Sequence, residues 1–339
     1  MEKLIINEKL TEEQIVSFAK LYHSVNEPTI YQNIDYNNIF KDKKRFFSII
    51  NENKLEAYVI VKEFEFSKLK FIKFASILSE PISKNENFKI KLIDEVVSFY
   101  KKNNFSDLEI NLFNSQIDQK KINSFHDLIK KNNPRKTGTI LIDLDAGFDS
   151  IERNFSSNIR KNIKKGINKG IETKILTNKN ELAFLSEIHE KMSNFKKINH
   201  FSKKQMVDML NLFANEKHGF VIGCFLDSIL IGGIALVKQG NRIEYFIGIS
   251  DPDYKKLPIT HLAIYNGIKI AIESKFRFFD MGGIVFNSLN GEQTHSISEF
   301  KLDFCKKTIE YQPSFKLITN KFYSLIKNLY LLTSNLFHK

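Results

Sequence analysis

Asp280, Gly282, Gly283 and Lys301 are the residues whose types and spacing point most clearly to chemistry. They stand in the segment 278–304, FFDMGGIVFNSLNGEQTHSISEFKLDF, where an apolar strand ends in an acid followed by two glycines. Strand ends of this kind border binding crevices in mixed α/β folds, and paired glycines let a ligand approach the main chain. Because Lys301 returns a cation toward the same end, the segment predicts an anion-binding or acyl-transfer site. A glycine turn beside a solvated lysine is the alternative interpretation.

A second candidate is the basic helix predicted over Ser156–Lys169. Phe155, Ile159, Ile163 and Ile167 recur every four residues and predict an apolar stripe that faces the core. The cations beside this stripe can hold phosphate groups, arginine as a fork and lysine as a point charge. They are Arg160, Lys161, Lys164 and Lys165. A solvated lysine-rich face is the alternative, but like charges so close together repel one another unless an anion compensates them.

Other polar residues near these segments are further candidates. Three of them lie on a loop ahead of a predicted helix and are expected to line the binding site. They are Tyr254, Lys255 and Lys256. His295 either serves as a base, since imidazole titrates near neutrality, or is simply exposed. Glu299 either orients Lys301 or is a surface acid, and Tyr245 on its alternating strand is predicted to be a core residue.

The chain offers little for metal binding or covalent catalysis. His189 and His200 have no second ligand at metal spacing, so we expect no metal site. Cys224 and Cys305 stand in apolar or mixed contexts and are predicted to be small core residues, and two cysteines exclude a disulfide framework. No Ser/His/Asp or Cys/His arrangement is evident, which favours direct attack without a covalent enzyme intermediate.

The whole-chain numbers indicate a folded, basic protein of two domains. A length of 339 residues exceeds one ordinary domain, and 42% hydrophobic residues with 31 phenylalanines can fill a substantial core. The net charge of +12 favours polyanionic partners, namely phosphorylated substrates, nucleic acid or an anionic membrane surface. There is no signal-peptide pattern and no apolar run long enough to span a bilayer, so we expect a cytoplasmic protein.

The same order of elements is predicted twice along the chain. Strand, hairpin, strand, helix and strand occur in each half, with the helices at Phe88–Lys102 and about Thr260–Ser274. This βββαβ order is similar to the central part of the N-acyltransferase (GNAT) fold. It predicts an α/β fold with mixed, α+β sheets, built as two tandem GNAT-like domains. We place a degenerate, acceptor-side domain at 1–145 and a second domain at 146–313.

The remaining segment, 314–339, is predicted to form an amphipathic C-terminal helix. Its apolar residues recur at helical spacing, so we expect it to pack back on the first domain. Its lysines and broad apolar face leave a peripheral contact with the inner face of the membrane open.

Together these segments resemble the Fem-type (FemAB/FemX) aminoacyltransferases, tandem N-acyltransferase-fold enzymes that add amino acids to peptidoglycan precursors. SSNIRKNIKKGINKGIET at Ser156–Thr173 is similar to the basic helix at the start of that family's second domain. Residues Glu244–Ile284 and the block EFKLDF at Glu299–Phe304 are similar to the family's strand, glycine turn and closing Phe-Lys-x-x-Phe motif. The resemblance extends over about Phe148–Lys307.

The resemblance implies an acyltransferase that forms an amide bond. In the family the donor is an aminoacyl-tRNA, and the acceptor is a muropeptide that carries a diphosphate. Lys301 takes the place of the closing-motif lysine, whose implied role is to stabilise negative charge near the reacting centre, and Asp280 is the second catalytic candidate. We therefore expect transfer of an aminoacyl group from aminoacyl-tRNA to an amine of a phosphorylated cell-wall precursor, with no tightly bound cofactor.

One departure from relatives that use acetyl-CoA bears on the donor. The segment Asp253–Thr260, DYKKLPIT, has no glycine where those relatives have a glycine-rich pyrophosphate loop, although Lys255 and Lys256 can substitute for it. The alternative function is an acyl-CoA-dependent GNAT N-acyltransferase that acts on an amino sugar or lipid-linked glycan in polysaccharide synthesis. A non-enzymatic nucleic-acid-binding module ranks third, because the basic helix lacks interleaved aromatic residues.

Overall fold

The chain folds into two compact units, each built on one mixed sheet. The computed structural model describes residues 2–65, 69–112, 121–122, 124, 129–130, 136–198, 201–289, 292–312 and 314–337. The first unit comprises Met1–Pro134 with Tyr311–Lys339, and the second comprises Arg135–Glu310. The end of a predicted strand at Phe113 and the candidate ligand His200 lie outside the described residues.

The elements follow the predicted order in both halves of the chain. Up to residue 130 they are β1 (Glu2–Asn7), α1 (Glu12–Ser24), α2 (Ile34–Asn38), β2 (Lys43–Asn51), β3 (Lys54–Glu65), β4 (Lys73–Ile77), β5 (Ile82–Ser83), α3 (Glu86–Lys102), β6 (Asp107–Ile110) and β7 (Ile129–Lys130). From residue 137 they are β8 (Thr137–Asp143), α4 (Phe148–Asn154), α5 (Ser157–Asn168), β9 (Glu172–Ile175), α6 (Lys179–Lys196), α7 (Lys203–Phe213), β10 (Gly219–Leu226), β11 (Ile229–Gln239), β12 (Arg242–Ser250), α8 (Ile259–Glu273), β13 (Phe278–Asp280), β14 (Ile284–Val285), α9 (Gln293–Leu302), β15 (Thr308–Glu310), β16 (Phe315–Ile318) and α10 (Lys321–Phe337).

The sheet of the first unit has the strand order β1-β2-β3-β4-β6-β16-β7, with β5 paired to β3. Its neighbours are antiparallel except β4 and β6, which run parallel because the crossover between them contains α3. Val96 and Tyr100 of α3 pack on Phe47 and Val59 of the sheet, and all four are fully buried. Burial of these large apolar side chains gives the first unit its own core.

The last segment of the chain completes the first unit rather than the second. Strand β16 pairs antiparallel with β6, so that Leu317 lies opposite Leu108. Helix α10 follows β16 and is joined to β6 by an ion pair between Lys327 and Asp107, both of which are buried. The two ends of the first unit are therefore far apart in the sequence but adjacent in its sheet.

The sheet of the second unit has the order β14-β8-β13-β12-β11-β10-β9, with β15 paired to β8. Strand β8 pairs antiparallel with β13 and places Ile142 opposite Phe279. The predicted boundary at residue 145 assigns this strand to the first domain, whereas the structure places it in the second sheet. The difference arises because β8 precedes the basic helix in the sequence and yet pairs with a strand more than a hundred residues later.

Strands β12 and β13 run parallel and part after three residue pairs. The pairing begins at Arg242–Phe278 and ends at Glu244–Asp280. Beyond the last pair, β12 contains a β-bulge at Phe246, a residue that has no partner in β11. Such a bulge bends the strand locally. In the first unit the corresponding parallel pair stays together to Ile77–Ile110. In the second unit β12 therefore continues past the end of its pairing with β13, whereas in the first unit both strands end with the last pair.

Helix α5 is the predicted basic helix, capped by Ser156, whose hydroxyl accepts a hydrogen bond from Ile159 N at 3.2 Å. Ile159 and Ile163 are buried as predicted, but Ile167 is 55% exposed. A four-residue repeat drifts by about 40° per step around a helix, so the last member of the stripe leaves the core face. Gly166 faces helix α8 instead, where a Cβ would lie 3.4 Å from Pro258 Cγ.

The segment between the glycines and Lys301 contains a helix, α9, where the sequence predicts a polar loop. His295, Glu299 and Lys301 therefore lie on a helix. Its inward residues include Ser298 and Lys301, both buried. Because polar side chains occupy the face that apolar ones usually fill, the hydrophobic spacing that marks a helix is missing.

No described helix is both long enough and apolar enough to cross a membrane.

Candidate active site

Asp280 is the centre of a buried polar network at the end of β13. Its side chain is nearly inaccessible, with 1% exposed. One carboxylate oxygen accepts hydrogen bonds from the Thr139 hydroxyl and, at 2.8 Å, from Gly282 N. The other oxygen lies 3.2 Å from Arg242 Nη1. Since both oxygens are bound, Asp280 holds the strand end, the glycine turn and β8 together.

The glycine turn lies close to the main chain of β12 and to the Lys301 side chain. Gly282 has a φ of 73°, and a Cβ there would lie 2.9 Å from Tyr245 O and 3.3 Å from Lys301 Nζ. A Cβ at Gly283 would meet no atom within 4 Å. The turn therefore needs glycine at the first position for its backbone and packing, and it borders open space at the second.

Lys301 reaches this turn from helix α9. It is 8% exposed, and its Nζ donates a hydrogen bond to Gly283 O at 2.9 Å. The ammonium also lies 5.6 Å from the ring centre of Tyr245. Burial lowers the pKa of Lys301 to about 8, against the opposing charges of Glu244 and Asp280. The structure thus brings together Asp280, the two glycines of the turn and Lys301, which the sequence marks as candidates.

Glu244 adds a second titratable group that sequence reasoning missed. It lies opposite Asp280 in the parallel register, and its carboxylate accepts a hydrogen bond from Gln239 Nε2. Burial, together with the neighbouring Asp280 charge, raises the pKa of Glu244 to about 7. A carboxylate and an ammonium group whose pKa values both lie close to neutral pH therefore stand in one network, a pattern typical of acid–base sites.

Tyr245 lies between this network and the start of helix α8. Its hydroxyl lies directly over Gly248, so that a Cβ on this glycine would collide with the hydroxyl. The same Cβ would also contact the side chain of Thr260 in α8. Sequence reasoning assigned Tyr245 to the core, and it does pack partly on the core of the second unit. Its ring additionally contacts the Lys301 ammonium, so it borders the site.

The basic helix lies against the loop ahead of α8. Lys165 Nζ donates to Lys256 O at 2.8 Å, which brings two predicted phosphate-binding segments together. Lys161 and Lys164 are exposed and have no ion pair among the described residues. Arg160 differs from expectation, because its guanidinium donates to the carbonyl oxygens at the end of α4 and is not a free fork.

The loop itself is tied to helix α6. Lys191 Nζ lies 2.7 Å from Asp251 Oδ1 and 2.6 Å from Asp253 Oδ2. Tyr254 packs at the edge of the core, and the Lys255 ammonium lies 5.7 Å from the ring of Phe195. These contacts fix the loop that leads into α8, a helix with no side-chain cap and no acidic residue in its first turn.

Two predicted residues are not brought to Lys301. Glu299 is exposed and makes no described contact with it, because residues two apart on a helix face different sides. The role of orienting Lys301 belongs to Gly283 O instead. His295 lies in the first turn of α9, where its Nδ1 is 3.5 Å from Ser288 Oγ.

Cysteine and metal chemistry are not supported by the described part of the chain. Cys224 is buried, and burial raises the pKa of its thiol to about 12. Among the described residues no group of three or more His, Cys, Asp and Glu side chains could hold a metal ion.

Among the residues that sequence reasoning missed, Arg242 and Glu244 carry a recognisable signal. They are opposite charges two positions apart on a strand that is otherwise apolar, so they share one face of the sheet. Thr139 and Gln239 give no such signal, because their partners are set by tertiary pairing.

Comparison with known proteins agrees with this geometry. Residues 153–296, less than half of the chain, match the family model of the acetyltransferase (GNAT) domain. No curated protein sequence matches the chain. Among solved structures, FemX is 12% identical with a TM-score of 0.75, over 97% of this chain and 99% of that one.

Two further structures are similar at lower scores. L-PGS from Bacillus licheniformis is 12% identical with a TM-score of 0.61, over 97% of each chain. A tandem GNAT protein from the clavulanic acid biosynthesis pathway, solved without AcCoA, is 9% identical with a TM-score of 0.55, over 94% of this chain and 99% of that one. The chain therefore has the Fem-like tandem GNAT fold that the sequence predicted, and its GNAT domain makes it an N-acyltransferase by class.

Proposed function

We propose that the chain forms an amide bond by transferring an aminoacyl group from aminoacyl-tRNA to an amine of a phosphorylated cell-wall precursor. The observation that carries this proposal is the buried Lys301 ammonium, held 2.9 Å from Gly283 O beside the glycine turn and Glu244. The Fem-like fold supports the choice of donor and acceptor. In this assignment Lys301 is the catalytic cation, and Asp280 is a positioning residue because its carboxylate is already bound.

The first step is activation of the acceptor amine. An alkylammonium group must lose a proton before it can attack. Glu244 is the carboxylate of this network that makes no ion pair among the described residues, whereas Asp280 is paired with Arg242. With its pKa raised to about 7, it is partly ionised at neutral pH and basic enough to take that proton. The free amine then forms the new C–N bond at the acyl carbonyl.

The second step is collapse of the tetrahedral intermediate. The attack leaves a negative charge on the former carbonyl oxygen, and a preorganised cation at that position is worth about 3–4 kcal/mol. Lys301 supplies this cation, and with a pKa of about 8 it can also give its proton to the departing ester oxygen of the donor. The ester C–O bond breaks as its oxygen takes the Lys301 proton, and the new amide nitrogen releases its extra proton to solvent. The proton that Glu244 took from the amine passes through solvent to the neutral Lys301, so both side chains regain their starting charge.

The phosphates are held away from the reacting atoms. Lys161 and Lys164 on α5, with Lys255 and Lys256 on the adjacent loop, form the candidate phosphate-binding surface, and the contact of Lys165 with Lys256 supports treating them as one surface. Lysines bind phosphate as point charges, so this surface suits either a nucleic-acid backbone or a diphosphate. In this proposal the donor and the acceptor both reach the protein from the cytoplasmic side of the membrane.

A second function has its own supporting observation. The first turn of α8 has free N–H groups, since it lacks a side-chain cap and acidic residues, and four lysines stand on the segments beside it. A helix start of this kind can bind a pyrophosphate. An acyl-CoA-dependent N-acyltransferase that acts on an amino sugar or lipid-linked glycan is therefore the alternative.

Thermal unfolding with each donor separates the two functions. A ligand that binds only the folded protein raises the unfolding midpoint by mass action. We expect a stable aminoacyl-tRNA analogue to raise the midpoint, with uncharged RNA of equal length as the control for non-specific charge. A rise with acetyl-CoA and other CoA thioesters, and none with the charged tRNA beyond the RNA control, would replace the first function by the second.

A further inference from the structure

Helix α10 is amphipathic in the opposite sense to an ordinary surface helix. Its polar residues Ser324 and Lys327 are buried, at 3% and 4% exposed. Its large apolar residues Phe322, Leu325 and Leu329 are 66%, 57% and 53% exposed. These three recur at spacings of three and four and so share one face of the helix. The helix therefore presents an apolar stripe outward.

An ion pair fixes this orientation. The Lys327 ammonium binds the carboxylate of Asp107, which is fully buried, and lies 4.7 Å from the ring centre of Phe74. Lys316 Nζ lies 3.8 Å from the same carboxylate. Rotating α10 to bury its apolar stripe would leave Asp107 without its nearest cation inside the protein, which is strongly unfavourable. The exposed stripe is thus specified by the fold.

A fourth apolar side chain extends the stripe into a patch. Phe71 is 53% exposed on the loop before β4, and its ring centre lies 5.8 Å from that of Tyr323. The ring of Tyr323 in turn lies 6.0 Å from that of Phe322. We call Phe71, Phe322, Leu325 and Leu329 the α10 patch. Single exposed apolar residues are ordinary, but a contiguous group of them marks an interaction surface.

Helix α10 itself brings no negative charge to the patch. Helix α10, KFYSLIKNLYLLTSNLF, contains no aspartate or glutamate. Lys321 at its start and Lys70 beside Phe71 are exposed at the edge of the patch. An apolar face bordered by lysines, on a chain of net charge +12, is complementary to an anionic surface that also accepts apolar side chains.

We propose that the α10 patch docks the first unit on the surface of an anionic phospholipid membrane, with the apolar side chains at the acyl boundary and the lysines at the headgroups. A second copy of the chain is a poorer occupant, because a two-fold contact through this face would bring the same lysines of both copies together. The inference does not depend on the proposed reaction, since no residue of the patch belongs to the second unit.

Vesicle flotation of the full-length protein tests this inference. The probes are vesicles of phosphatidylcholine alone and of phosphatidylcholine mixed with phosphatidylglycerol. We expect the wild type to bind the anionic vesicles about tenfold more tightly than the neutral ones, and added salt to weaken this preference. Leu325→Gln with Leu329→Gln should lower the affinity for anionic vesicles about tenfold or more, because two apolar side chains no longer enter the interface.

A matched control replaces two exposed apolar residues outside the patch, Val16→Gln and Phe184→Gln, and should bind vesicles as the wild type does. Lys70→Gln with Lys321→Gln should reduce the preference for anionic lipid and leave the weak binding to neutral lipid unchanged. The inference is overturned if the wild type does not float, or if the leucine variant floats like the control. It is also overturned if the wild type is a dimer, the two leucine substitutions make the protein monomeric, and neither protein binds vesicles.

Discussion

At the scale of single residues, the proposed mechanism depends on two groups whose protonation states must be opposite. Glu244 acts as a base only when it has lost its proton, and Lys301 stabilises an oxyanion only while it is charged. Burial moves both pKa values toward neutrality, Glu244 upward to about 7 and Lys301 downward to about 8.

The pH dependence of turnover follows from these directions. The rate should rise as the pH increases through about 7, where Glu244 ionises, and fall again above about 8, where Lys301 loses its charge. Glu244→Gln should lower turnover by about 10²–10³ and abolish the rising limb while the falling limb remains. The measurement is the turnover rate against pH for both proteins. If the rising limb of the variant stayed at the same pH, the base would be a residue other than Glu244.

The two glycines of the turn should differ sharply when each is replaced by alanine. Gly282→Ala forces a side chain into a φ of 73° and against Tyr245 O, so we expect a loss of about 1–3 kcal/mol in the free energy of unfolding. Gly283→Ala is the matched control, since its Cβ would meet no atom. Urea unfolding measures both. Equal stability of the two variants would contradict the turn geometry.

At the scale of elements, the candidate site lies where the pairing of β12 and β13 ends. Three residue pairs hold the strands together, and the network of Asp280 stands at the last of them. The candidate phosphate-binding surface lies on separate elements, α5 and the loop ahead of α8. The proposed reacting groups and these lysines therefore come from different parts of the second unit and can be altered independently.

Removing charge from α5 should affect binding more than chemistry. Lys161→Gln with Lys164→Gln removes two point charges from the candidate phosphate site, and each charged hydrogen bond lost is worth about tenfold in affinity. We expect KM for the phosphorylated substrate to rise with kcat nearly unchanged. The control is Lys179→Gln with Lys196→Gln on α6, which removes the same number of positive charges from the chain. If both variants raise KM equally, only the net charge of the chain matters.

Sequence reasoning was most successful where neighbours in space are also neighbours in the chain. Asp280, the two glycines and Lys301 lie within one segment, so a local motif identifies them. Helix α9 was missed because its inward face carries Ser298 and Lys301 rather than apolar residues. Thr139 joins the site only through the pairing of β8 with β13, and long-range pairing leaves no local trace in the sequence. Glu244 is marked locally only by its charge opposite to that of Arg242 on the same face of β12, and its place beside Asp280 comes from the pairing of β12 with β13.

At the scale of the whole molecule, the first unit depends on a segment supplied by the end of the chain. Strand β16 pairs with β6, and α10 is held by the ion pair of Lys327 with Asp107. The sequence predicts the terminal helix from its apolar spacing, but the pairing of β16 is a long-range event that composition does not reveal. The second unit has its own sheet and core and contains all of the proposed catalytic groups.

Lys327→Met should destabilise the first unit by about 3 kcal/mol, because it leaves the carboxylate of Asp107 buried without its nearest cation. Adding Asp107→Asn should recover a large part of that loss, since the uncompensated charge is then gone. Urea unfolding of the two single variants and the double variant measures the coupling. Additive losses would show that the ion pair does not hold α10.

The central claim is that the charge of Lys301 stabilises the transition state for amide formation, and the single-turnover rate of Lys301→Ala tests it most directly. With the donor that raises the unfolding midpoint, we predict a rate about 10²–10³ lower than that of the wild type, while the donor still binds. Lys301→Gln, which keeps a hydrogen-bond donor for Gly283 O, should be equally slow. A wild-type rate in either variant would contradict the account.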